Sequence, residues 1–144
     1  PYVKHSLIEA EGVISLLTVE ELYSTCQYIS LHIPATEKTI KSINYNLLSK
    51  MPKGAVLINT ARKEVINEDE LIQLMSERSD FSYLADVIPG NQAVFVEKFS
   101  GRYFFTPKKI GAQTEEANIN AGIAAAKQIV NFITTGDTTF QVNK

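Results

Sequence analysis

Ala55-Val56-Leu57-Ile58-Asn59 is an almost wholly apolar run of five residues, and its reading decides the fold. It is too short for a helix, is rich in branched side chains, and follows the breakers Pro52 and Gly54. Such a segment reads as the central strand of a parallel sheet, buried on both faces. Upstream, Asn44 to Lys50 reads as a short helix with Leu47 and Leu48 facing inward. Before it, a loop from Thr36 to Ile43 follows a strand from Tyr28 to Ile33 that Pro34 ends. Val19, Leu22 and Tyr23 recur at i, i+3 and i+4 behind Thr18, which predicts a helix with a threonine cap. Residues 1–18 are weakly patterned: Leu7 to Ala10 suggest a helical turn, Gly12 a break, and Val13-Ile14 the start of a strand.

Downstream, Asn67 is expected to cap a helix from Glu68 to Arg78, with acid in its first turn and Leu71, Leu74 and Met75 on one face. Phe81 to Val87 reads as a strand, Pro89-Gly90-Asn91 as a turn and Val94 to Lys98 as a small excursion. Tyr103-Phe104-Phe105 reads as a buried strand ended by Thr106-Pro107. The longest helix is expected from Thr114 to Thr134, with Ala117, Ala121, Ala124, Ala125, Ile129 and Phe132 giving a face for close packing on a sheet. Strand and helix alternate four times. The fold class is therefore α/β, a doubly wound parallel sheet with flanking helices and right-handed crossovers.

The 144 residues suffice for one domain, and 44% apolar with 21% charged residues is ordinary globular composition. A net charge of −2 carries no nucleic-acid or anionic-membrane footprint. No apolar run reaches the length of a membrane span. The single cysteine, Cys26, forms no internal disulfide, and one cysteine with two histidines makes no metal cluster, so no metal and a reducing, cytoplasmic setting are expected. Phe104 to Ala117, FFTPKKIGAQTEEA, would leave a strand, cross a glycine-containing turn with Lys108 and Lys109, and re-enter a helix. Ligands of open α/β sheets bind at that edge. The plain alternative is that both lysines are solvated loop residues. Neither GxGxxG nor the P-loop pattern occurs, so the chain reads as the second half of a nucleotide-binding domain.

Three segments carry a resemblance. Ser30-Leu31-His32-Ile33-Pro34-x-Thr36, Leu57-Ile58-Asn59-Thr60-Ala61-Arg62, and Ala85-Asp86-Val87 followed by Thr106-Pro107 and Ile110-Gly111-Ala112 stand in order. They resemble the D-isomer-specific 2-hydroxyacid dehydrogenases and, within them, the D-3-phosphoglycerate dehydrogenases. TPKKIGAQT and NTARKEVI look like the short, lysine-containing members of that group. The resemblance covers nearly the whole chain. It implies an incomplete Rossmann-like NAD-binding domain over residues 1–134 and a tail, 135–144, returning to a substrate domain. Pro1-Tyr2 would follow the strand whose final Asp holds the adenosine ribose, so the residue selecting NAD over NADP lies outside the sequence. His32 and Pro34 would sit beside the cofactor, Thr60, Ala61 and Arg62 near nicotinamide and substrate, Asp86 against the carboxamide, and Gly111 in the cofactor turn. A small-molecule substrate and a homodimeric parent are likewise implied, while this chain alone is expected to be inactive.

Oxidising a 2-hydroxy acid needs a hydride acceptor, a base for the hydroxyl proton and a cation for the carboxylate. Arg62 suits the last role because guanidinium grips carboxylate bidentately and keeps its charge; a surface pair with Glu64 is the alternative. In most of the family the base is a His before Ile-Gly, oriented by a Glu. Here Lys109 and Asn91 stand in those places. The two departures are coupled, since an ammonium has no tautomer for a carboxylate to fix. Lys109 is the expected base, with Lys108 binding phosphate or carboxylate, although the two could be exchanged. Asp86 could instead cap the Pro89-Gly90 turn, and His32 could be a core or edge histidine bonded to backbone. His5 is expected to be exposed and Cys26 to be a small core residue. The rival functions are an NAD-sensing regulator without catalysis, or a dehydrogenase for another D-2-hydroxyacid such as glyoxylate or lactate.

Overall fold

Four short strands, Tyr28–Leu31 (β1), Val56–Asn59 (β2), Ser82–Ala85 (β3) and Tyr103–Phe105 (β4), pair in parallel in the order β1-β2-β3-β4. The computed structural model describes residues 12–16, 18–108 and 114–142. Contacts divide the chain into two units, Pro1–Lys108 and Lys109–Lys144. Helix Val19–Thr25 (α1) precedes the sheet in the first unit; Tyr45–Leu48 (α2), Glu68–Glu77 (α3) and Gln92–Lys98 (α4) lie between successive strands. Parallel strands need such crossovers because a tight turn cannot join them.

The register sets two rows across the sheet, Ile29–Leu57–Tyr83–Tyr103 and Leu31–Asn59–Ala85–Phe105. Alternate side chains share a face, so both rows point the same way. They bury against Tyr23 of α1, Leu47 and Leu48 of α2, Leu71, Leu74 and Met75 of α3, and Phe95 of α4. Phe95 lies against Tyr83, Phe99, Tyr103 and Phe105 with ring centroids 5.2–6.2 Å apart, the spacing of favourable aromatic pairs.

Several expectations need correction. Val56 and Ile58 are only half-buried, so β2 is central in pairing yet sealed on one face. The Tyr103 strand is an edge strand with Phe104 60% exposed. Apolar composition alone does not separate a buried strand from an edge. Val13 and Ile14 are exposed and form no strand. In α1 only Tyr23 is buried, while Val19 and Leu22 are exposed. Asn67 occupies the cap position of α3 without a capping bond; its amide donates to Glu70 at 2.6 Å instead. The Val94 excursion is the helix α4, because buried Phe95 anchors it. The expected cap at Thr18 forms, and Asn44 and Thr114 cap their helices as well, each accepting from a backbone N–H three residues on. Cys26 is half-buried against the core.

In the second unit, Glu115–Thr135 (α5) starts on Thr114 with Glu115 and Glu116 in its first turn. It ends at Gly136, whose φ of 71° is the left-handed conformation glycine adopts freely. None of its residues is buried, and Ile129 and Phe132 are exposed.

At the amino edge of the sheet an arginine–aspartate network closes the loops. Arg78 donates from Nη1 to Met51 O and from Nη2 to Pro52 O, both at 2.7 Å, and pairs with Asp80 at 2.6 Å. Asp80 also accepts from Gly54 N at 2.7 Å, and Arg102 donates to the carbonyls of Met75 and Arg78 at 2.9 Å. Gly54 has φ 73°, and a Cβ there would meet Gln27 Nε2 at 3.1 Å. The Arg78 hydrogen bonds, followed by the Gly54 N–H, hold the Asp80 carboxyl well below its ordinary value of 3.8. Its contribution is therefore complete above pH 3.8 and is lost as pH falls below that value. Asp80→Ala is expected to lower unfolding stability by roughly 2 kcal/mol at neutral pH. Urea titrations should show the gap from wild type closing in acid; a gap that is constant with pH would remove Asp80 from the acid response.

Candidate active site

The row Leu31–Asn59–Ala85–Phe105 is the last across the sheet at its carboxyl edge. The residues that follow, His32, Thr60, Asp86 and Thr106, consequently leave their strands at one level. The ladder runs one step further, with Asp86 N donating to Asn59 O and Thr106 N to Ala85 O, both at 3.1 Å. Four of the segments singled out in the sequence meet on this edge.

Asn59 is the one buried polar residue among those described. Its Oδ1 accepts from Ala61 N at 3.0 Å, and its Nδ2 donates to Arg62 O at 3.0 Å and to the Tyr83 hydroxyl at 3.4 Å. Burial pushes the Tyr83 phenol up to about 12; the Asn59 bond opposes this, and the charges of Glu68 and Asp86 add to it. Thr60 and Arg62 are exposed and Ala61 is half-buried. Arg62 is extended (φ −136°, ψ 141°) and caps the 3₁₀ turn Lys63–Val65. Glu64 is not its partner: the one ion pair among the described residues is Arg78–Asp80.

Asp86 does not cap the following turn. Gly90 N and Asn91 N donate to the Glu68 carboxylate at 2.9 and 3.0 Å, and the Asn91 amide donates to Asp69 at 3.1 Å. Asp86 Oδ1 is instead buried without a partner. His32 is exposed and bonded through Nε2 to Ser30 Oγ at 2.9 Å, so it is neither a core nor a backbone-bonded histidine. The exposed Pro34 carbonyl accepts from Thr39 Oγ1 at 2.6 Å. Lys108 is exposed, its carbonyl accepting from Thr106 Oγ1 at 3.0 Å. Lys109 and Gly111 lie outside the described residues, as does His5.

A groove of about 630 Å³ between α1, β1 and α2 reaches this edge at Ser30 and His32. In its wall the Tyr23 hydroxyl is buried without a partner, and burial holds that phenol above its ordinary 10.0. Asp86 Oδ1 and Tyr23 Oη are the two such atoms among the described residues.

The NAD-binding domain of the D-isomer specific 2-hydroxyacid dehydrogenases matches residues 1–102. The chain belongs to that family. It is 33% identical over 132 residues to the D-3-phosphoglycerate dehydrogenase of Haemophilus influenzae, covering 88% of this chain and 32% of that one. Against the enzyme of the same name from Methanocaldococcus jannaschii the identity is 31%, over 90% of this chain and 25% of the relative. A solved NAD⁺-bound 3-phosphoglycerate dehydrogenase from Entamoeba histolytica is 53% identical with a TM-score of 0.79, covering 90% of this chain and 42% of that one. The chain thus spans a third or less of these two curated relatives.

A family-type dinucleotide fits what is present. The buried Asp86 oxygen lacks a donor, and a primary amide is a donor of suitable kind. Two residues of this edge were given no site role from the sequence: Asn59, read as part of the strand and its motif, and Glu68, read as first-turn acid of a helix. Glu68→Ala is expected to lose roughly 1–2 kcal/mol by freeing two backbone donors, whereas Asp86→Ala should be neutral or stabilising without cofactor. Urea midpoints of both variants decide this. A large loss in Asp86→Ala would mean that its carboxylate already has a structural partner.

Proposed function

We propose that the protein containing this chain is an NAD-dependent oxidoreductase that converts D-3-phosphoglycerate to 3-phosphohydroxypyruvate, the opening step of serine biosynthesis from that acid. The observation that carries the reading is the buried Asp86 Oδ1, partnerless among the described residues, on the same edge as Arg62, whose guanidinium has no ion pair among them. Buried polar atoms are otherwise almost always satisfied, so this one is a candidate for a ligand. Relatives named for this reaction support the substrate.

In this reading Asp86 accepts from the carboxamide, and His32, Pro34, Thr60, Ala61 and Gly111 line the cofactor. When bound, NAD⁺ supplies the acceptor for the hydride that leaves C2. Arg62 grips the substrate carboxylate through parallel N–H donors. Lys109 takes the hydroxyl proton, which requires its free amine, a form that neighbouring positive charge would favour. Lys108 holds the phosphate. Asn91 needs no role beside the base, because its amide is committed to Asp69. A cytoplasmic homodimer is the proposed setting.

The test is NADH formation from D-3-phosphoglycerate by the full-length protein. Arg62→Ala should raise KM for the acid and lower kcat/KM by about 10²-fold or more. Lys109→Ala should abolish turnover while Lys108→Ala raises KM alone. Loss in Lys108→Ala with normal turnover in Lys109→Ala exchanges the two lysines. A wild-type protein that binds NADH yet turns over no D-2-hydroxyacid rejects the enzyme.

A further inference from the structure

We propose that Asn59 is a positioning residue for Arg62, acting through the backbone of residues 60–62. The proposal rests on the carboxylate-binding role assigned above to Arg62.

Arg62 is exposed and no ion pair among the described residues holds its guanidinium. Where that side chain starts is therefore set by its backbone. Two donors meet the Arg62 carbonyl: Asn59 Nδ2 at 3.0 Å and Val65 N at 3.4 Å. The other end of the short loop is held by Asn59 Oδ1, which accepts from Ala61 N. One planar amide thus spans the loop, with its acceptor two residues ahead and its donor three residues ahead. Both bonds bend the chain around this amide as it leaves β2.

The amide is itself fixed. It is completely buried in the central strand, and its remaining donor reaches the Tyr83 hydroxyl of β3. A site on a loop is loose unless a rigid element locks it. Here the lock is a side chain of the sheet. Asparagine is required by donor and acceptor count: aspartate offers no N–H, leucine neither function, and glutamine adds a methylene with no room in a buried row.

The experiment uses the full-length protein with Asn59→Asp, alone and combined with Arg62→Lys. Asn59→Asp keeps the acceptor for Ala61 and removes the donors to Arg62 and Tyr83. It should lower kcat/KM for the hydroxy acid at least tenfold, mainly through KM. Hydrogen exchange in a peptide spanning residues 60–65 should accelerate. In the Arg62→Lys background the same change should cost less than twofold, because two residues acting as one unit are not additive. Tyr83→Phe, which leaves both loop bonds in place, should keep kcat/KM within twofold of wild type. Equal losses in both backgrounds, or a Tyr83→Phe loss as large as that of Asn59→Asp, make Asn59 a general core residue and overturn the proposal. If Arg62→Lys is impaired and Asn59→Asp is not, the proposal alone fails. If Arg62→Lys itself behaves as wild type, the role of Arg62 fails first and the proposal falls with it.

Discussion

Parallel pairing is the constraint from which the rest follows. Neighbouring strands that run the same way cannot be joined by a tight turn, so the chain returns through helices after β1, β2 and β3. All four carboxyl ends then finish on one side. The residues that leave those ends, His32, Thr60, Asp86 and Thr106, are up to 74 positions apart in the chain and share one edge only for this reason.

The two ends of the sheet are built for different purposes. At the amino edge the polar groups are satisfied: Arg78 serves two carbonyls and Asp80, Asp80 holds Gly54, and Arg102 closes the turn above them. At the carboxyl edge, among the described residues, Asp86 Oδ1 is buried without a partner and Arg62 has no carboxylate. A fold that saturates one end and leaves the other wanting donors and anions has its stability and its binding chemistry separated in space. Asn59 joins the two regimes, being a core residue by burial and a loop residue by its bonds.

The order and type of the elements were legible because each rests on short-range physics. Apolar runs bounded by Pro34, Pro52 and Gly54 gave strands and stops, and Thr18, Asn44 and Thr114 gave helix starts. Errors arose where a residue had two local uses. Asn67 looks like a cap, yet Glu70 takes its amide, and the Tyr103 strand looks buried although nothing described pairs beyond it. Asp86 shows the same limit in the site: it could serve the next turn or a ligand, and only Glu68, from another helix, removes the first possibility.

By itself the sequence determined the α/β class, the parallel sheet and the 2-hydroxyacid dehydrogenase family, because periodicity, breakers and ordered motifs are local properties of the chain. Tertiary structure alone decided which face of β2 is sealed, that Asn59 spans the 60–62 loop, and that Asp86 Oδ1 is left without a donor among the described residues. Those outcomes depend on register and on partners more than twenty residues away, such as Tyr83 for Asn59 and Glu68 for Gly90, and no local pattern encodes them.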